Sequence, residues 1–185
     1  MYQKKIISCL SLIVFSMNLI AMNEAISYNA DIVKRKRILM ASNNKPKDKL
    51  ILITCMDTRI NPYALFGISS GEAHILRNAG GIVTEDVIRS ILLSMHALGT
   101  NQIMIVKETN CGLTGLNDNT FRADLMNKFK TDTVVPQQFY GFSDLKENIK
   151  QQMQKIKNHP WIPNDIKIRG FILDIKTGGL NEVKP

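Results

Sequence analysis

The sequence predicts an α/β fold, a mostly parallel β-sheet flanked by helices in one domain. Three observations lead there. Short, unbroken runs of aliphatic and β-branched residues recur along the chain, and an amphipathic stretch separates two of them. No internal repeat or low-complexity tract points to a solenoid or a disordered chain.

The first run, residues 50–54, follows a polar, lysine-rich segment and reads as a strand buried on both faces. A second strand is expected over residues 73–76 and a third over 103–106. Between them, residues 82–98 carry apolar side chains at 83, 87, 88, 91, 92, 95 and 98, the spacing of a helix that lays one face on a sheet. Thr84 can cap its start, Glu85 and Asp86 suit the positive end of its dipole, and Gly99 supplies a stop. A further helix is expected over residues 143–157, ending before His159-Pro160. Residues 168–175 read as a last strand before the Thr177-Gly178-Gly179 turn.

With 185 residues, 44% apolar and 22% charged, the chain suits a single globular domain with a real core. Its formal charge of +8 is scattered, and only Lys34 to Arg37 concentrates it, with little aromatic interleaving. That favours a solvated basic surface and no nucleic-acid partner. The amino terminus differs: Lys4 and Lys5 precede an apolar run from Ile6 to Ala21, with small residues at Ala21 and Ala25. Residues 1–25 are therefore expected to be a signal peptide, leaving a domain of residues 26–185 that is exported, periplasmic or secreted. Membrane contact is expected only through an uncleaved amino-terminal anchor, and a cytoplasmic location is the remaining alternative. Residues 1–25 hold two lysines and one glutamate, so processing lowers the charge only to +7.

Cys9 leaves with that segment, so Cys55 and Cys111 remain. Spacing alone does not separate a disulfide from a metal pair. Both cysteines, however, fall just past the carboxyl ends of predicted strands, the edge where open α/β sheets place ligand sites. Three clusters meet there: Cys55-Met56-Asp57-Thr58-Arg59, Arg77-Asn78-Ala79-Gly80-Gly81 and Glu108-Thr109-Asn110-Cys111-Gly112. A thiolate binds zinc, and an arginine can hold a carboxylate in a two-bond fork. Each cluster alone also fits a plain strand-end turn.

Together, and in this order, the clusters resemble the β-class carbonic anhydrases, with the pattern Cys-x-Asp-x-Arg, Arg-Asn-Ala-Gly and His-x-x-Cys-Gly. Gly71-Glu72-Ala73-His74, residues 84–90 and the tail from Arg169 to Pro185 also resemble a bacterial branch of that family, so the likeness covers roughly residues 28–185. The resemblance implies a single β-carbonic-anhydrase-like domain, one zinc per chain, and reversible hydration of carbon dioxide to bicarbonate. It implies a homodimer or higher homo-oligomer with active sites at the interface. On it, Cys55 and Cys111 are zinc ligands, and Asp57 orients a metal-activated water while Arg59 holds Asp57 off the metal. Arg77, Asn78, Ala79, Gly80 and Gly112 would shape the substrate pocket.

The chain departs from the pattern at Glu108, where the family has a histidine. Lys107 and Asn110 also stand where this branch often carries His and Asp. His74, His96 and His159 sit away from the site loop and read as structural histidines. Glutamate can bind zinc, so one reading keeps a Cys55, Cys111, Glu108 site. Two thiolates and a carboxylate leave the centre with one net negative charge, which weakens its Lewis acidity. A second reading is therefore a catalytically inactive homologue with a binding or structural role. A third, from relatives of this fold, is hydrolysis of carbonyl sulfide or carbon disulfide.

Overall fold

The computed structural model describes residues 22–32, 43–132 and 136–184. The chain divides into two compact units, Met1–Met40 and Ala41–Pro185. Most of the expected signal segment, residues 1–21, lies outside the described residues, as does the basic run Lys34 to Arg37. In the first unit, residues 22–32 form a helix. Among the described residues no helix is long and apolar enough to cross a membrane.

The second unit contains a five-stranded sheet in the order β2-β1-β3-β4-β5. Its strands are β1 (Leu50–Cys55), β2 (Ala73–Asn78), β3 (Gln102–Glu108), β4 (Lys167–Leu173) and β5 (Leu180–Val183). The first four run parallel, and β5 closes one edge antiparallel to β4. The helices are α1 (Pro62–Phe66), α2 (Glu85–His96), α3 (Asp118–Phe129) and α4 (Leu145–Lys157). This is the mostly parallel α/β fold expected of the sequence, because β-branched runs buried on both faces pair in parallel when helices make the crossovers.

Alternation along the strands sorts side chains onto two faces. Ile51, Ile53, Ile103 and Ile105 pack with Val87, Ile88 and Ile91 of α2 and with Ile149, Met153 and Ile156 of α4. Both helices with buried faces thus contribute to one core. The opposite face joins Leu52, Val106 and Leu173 to Ile60, Ile82, Phe142 and both cysteines, with Phe66 of α1 packed alongside. Short α1 and loops therefore cover the face on which the thiols lie.

The expected helix over 82–98 is shorter than its apolar pattern. Thr84 is extended, and its Oγ1 accepts the Val87 amide at 3.4 Å, so the helix starts at Glu85. Ile82 and Val83 precede it yet stay buried, and the Val83 amide donates to Gln152 Oε1 of α4 at 2.8 Å. α4 begins two residues later than expected for the same kind of reason: Asp144 Oδ1 accepts the Glu147 amide at 2.9 Å.

Three of the strands and helices named in the second unit have no counterpart in the pattern reading. α1 is five residues long, capped by Asn61, opened by Pro62 and stopped by Gly67 at φ 63°; that cap, proline and glycine order was a usable signal. α3 buries none of its residues, so it has no apolar stripe to read. β5 is a short polar strand, LNEV, that depends on pairing with β4.

Candidate metal centre

β1 and β3 are neighbours in register, so their carboxyl ends bring Cys55 and Glu108 to one edge. The loop after β3 turns back through Asn110, whose φ of 57° lies in the left-handed region that asparagine tolerates. This returns Cys111 to the same place. The ligand atoms of Cys55, Glu108 and Cys111 all lie within 4.8 Å of one another, and all three residues are buried. Both cysteines are free thiols.

The electrostatics of this cluster are unusual. Neither carboxylate oxygen of Glu108 has a hydrogen-bond partner, although the residue is fully buried. An orphaned buried carboxylate is costly unless something else satisfies it. Cys55 is lowered to about 7, chiefly because the Cys111 thiol hydrogen-bonds to it, with burial and Glu108 acting in the opposite direction. Cys111 is raised by the same thiol pairing, then by burial and Glu108. Two thiols and a carboxylate at this separation are a donor set suited to zinc, and the unpartnered Glu108 oxygens are what a metal would satisfy.

The second cluster supports the first. Arg77 sits at the end of β2 and donates from Nε to Cys55 O at 3.0 Å and from Nη2 to Asp57 O at 2.8 Å. Asn78 grips the backbone of Ile82 in both directions, donating to its carbonyl at 2.7 Å and accepting its amide at 2.8 Å. The turn so formed aims the Gly80 amide at Cys55 Sγ, 3.3 Å away. Gly80 has φ 69°, the left-handed region that favours glycine, and a Cβ there would press on Leu113 Cδ2 at 3.0 Å. Ala79 and Gly112 are exposed; a Cβ on Gly112 would meet nothing within 4 Å.

Asp57 rests on Arg59. Arg59 Nε donates to Oδ1 at 2.9 Å, Nη2 donates to Oδ2 at 2.6 Å, and the Arg59 amide donates to Oδ1 at 2.9 Å. This fork holds the Asp57 carboxyl at about 2. Arg59 Nη2 also donates to the Asn110 carbonyl at 3.0 Å, joining the first and third clusters, a link the sequence did not disclose.

Behind the cluster, Lys107 is fully buried. Its Nζ donates to Asn148 Oδ1 of α4 and lies 5.3 Å from the Phe142 ring centroid. Burial pushes this ammonium down to about 8, while Cys111, Glu108 and Cys55 pull it back up. Its position directly after the apolar run 103–106 was the available sequence signal.

The histidines stay apart from the cluster. His74 Nδ1 pairs with Ser94 Oγ at 2.6 Å and Nε2 with Asn44 O at 3.1 Å. His96 Nε2 pairs with Trp161 O at 2.9 Å, and His159 Nδ1 accepts the Trp161 amide at 3.3 Å. All three hold turns and helices together, as structural histidines do.

Residues 50–180, which include all three clusters, match the carbonic anhydrase family model. β-carbonic anhydrase 1 of Mycobacterium tuberculosis is 36% identical over 141 residues, covering 76% of this chain and 85% of that relative. A carbon disulfide hydrolase of Acidithiobacillus thiooxidans is 31% identical over 163 residues, covering 78% and 80% respectively. Among solved structures, a carbonic anhydrase from Streptococcus mutans superposes with a TM-score of 0.81 at 37% identity, over 88% of this chain and 97% of that one. The chain belongs to the β-carbonic anhydrase family, a family of lyases.

Proposed function

We propose that this chain hydrates carbon dioxide reversibly to bicarbonate at one zinc held by Cys55, Cys111 and Glu108. The observation that carries this is the set of three buried donor atoms within 4.8 Å of one another, with the Asp57–Arg59 fork beside it. Bound there, zinc would supply the Lewis acidity that lowers the pKa of a water, though less far than at a neutral donor set because Glu108 adds a negative charge.

The chain's own groups supply the rest. Asp57, held at about 2, is too weak a base to take a proton near neutrality. Its carboxylate instead accepts a hydrogen bond from the reacting water, whose other proton goes to solvent, and aims the oxygen lone pair at the carbon. Arg59 occupies the Asp57 oxygens from the other side, which keeps the carboxylate off the thiol cluster. Arg77 fixes the backbone of both Cys55 and Asp57, so the ligand and the orienting carboxylate move together. The Gly80 amide donates to Cys55 Sγ and stabilises it as a thiolate.

Two further expectations accompany this reading. Met56, Tyr63 and Leu65 are 63%, 57% and 40% exposed, and a homodimer or larger homo-oligomer would cover them. Light scattering measures that. Export rests on the apolar amino-terminal run, and amino-terminal sequencing of mature protein tests it.

The deciding experiment measures metal content and carbon dioxide hydration of the wild type, Cys55→Ser and Glu108→His. Stoichiometric zinc, with turnover lost in Cys55→Ser, is expected. Zinc-free protein, or zinc-loaded but inert protein that gains turnover in Glu108→His, would establish the inactive homologue instead. Faster hydrolysis of carbon disulfide than hydration of carbon dioxide would move the substrate to the one named in the Acidithiobacillus thiooxidans relative.

A further inference from the structure

Lys107 and Glu108 are consecutive residues of β3, both fully buried. Alternation places them on opposite faces of the sheet. By that alternation Glu108 falls on the face of Val106 and the thiols and Lys107 on that of Ile103 and Ile105, where its Nζ reaches Asn148 of α4; its other neighbour, the Phe142 ring, packs with the cysteines at the strand end. Among the described residues Lys107 makes no ion pair, and its hydrogen bond goes to the neutral amide of Asn148. A buried ammonium with only a neutral amide and an aromatic ring for company lacks a local counter-ion. The negative groups that act on it are Cys111, Glu108 and Cys55.

The other cations near the cluster are committed elsewhere. Arg59 is half-exposed and its fork is taken by Asp57 and the Asn110 carbonyl. Arg77 is exposed and spends its donors on the carbonyls of Cys55 and Asp57. A dication with two thiolates and a carboxylate carries one net negative charge in a buried site, and the lysine behind it carries one positive charge.

We propose that Lys107 is the charge-balancing residue of the metal centre: a cation buried on the far face of β3 that offsets the negative charge Glu108 brings to the two thiolates. Lys107 acts through Glu108 and touches no ligand, so it is a positioning residue. This rests on the metal reading of the Cys55, Cys111 and Glu108 cluster. It explains why β3 ends in two adjacent buried ions where a neutral donor set would need neither.

The test uses cobalt(II), whose thiolate charge-transfer absorption reports binding without reference to turnover. Lys107→Met should weaken cobalt binding by about 10–100-fold, the scale of outer-shell changes at metal sites. In a Glu108→His background the same substitution should change affinity by no more than about twofold, as expected of uncoupled positions. Asn148→Asp is the second variant: it keeps the lysine but supplies a local counter-ion, so it too should weaken cobalt binding. If Lys107 merely filled space or anchored α4, Asn148→Asp would leave affinity unchanged, and Lys107→Met would act equally in both backgrounds. Either result overturns the proposal while leaving the metal site intact. Wild-type protein that binds no cobalt would instead overturn the metal reading together with this one.

Discussion

Two carboxylates in this molecule are treated in opposite ways. Asp118, in the first turn of α3, accepts the amides of Phe139 at 2.7 Å, Tyr140 at 3.1 Å and Gly141 at 3.0 Å. Those amides, Gly141 first, hold its carboxyl below the usual range. Glu108 is fully buried and has no protein donor on either oxygen. The first carboxylate ties a loop to a helix end, and the fold surrounds it with donors. The second has donors withheld, which leaves its lone pairs free for a ligand. Stability and function thus make different demands on the same functional group.

The contrast is broken most severely by Glu108→Leu. Metal affinity should fall by more than the about 10–100-fold typical of outer-shell changes, because a donor itself is lost. Cobalt titration measures this, and an affinity equal to that of the wild type would show that Glu108 is not a metal donor.

Gly141→Ala attacks the other side of the comparison. A Cβ at this position would collide with the Leu116 carbonyl, so the loop must shift away from Asp118. A loss of about 1–3 kcal/mol in urea unfolding is expected, the scale of overpacking, with metal affinity preserved.

Asp118→Asn should be the mildest and should depend on pH. Because the folded carboxyl is depressed, its stabilisation is present above the ordinary carboxylate value of about 4 and is lost as pH falls through the lower folded value. The stability gap between wild type and variant should therefore be open at pH 7 and close on acidification. A gap that is constant with pH would mean that the amide contacts do not discriminate between the charged and neutral groups.

Where a segment meets the core, its pattern was readable. The strands at 50–54, 73–76 and 103–106 and the helices ending at His96 and Lys157 follow from β-branched runs and apolar periodicity. α3 was invisible because none of its residues is buried, so nothing selects an apolar face. Its neighbouring contacts, Phe121 edge-on to Phe139 at 4.8 Å and Asp118 to the Phe139–Gly141 loop, join residues about twenty positions apart. Thr84 and Asp144 shortened two helices because a cap fixes where helical geometry begins, whatever apolar residues precede it.

At the site the same division holds. Strand length and local spacing, both short-range properties, placed Cys55 and Cys111 just past strand ends, and the family resemblance singled out Glu108, Asp57, Arg59 and the Arg77 turn. Only the tertiary structure decided that Asp57 rests on Arg59, that Arg77 and Gly80 both hold Cys55, and that Glu108 has no protein donor. It also decided that Lys107 is buried beneath α4. Hydrogen-bond satisfaction and desolvation depend on what the rest of the chain brings alongside, and adjacency in β3 says nothing of which face of the sheet supplies it.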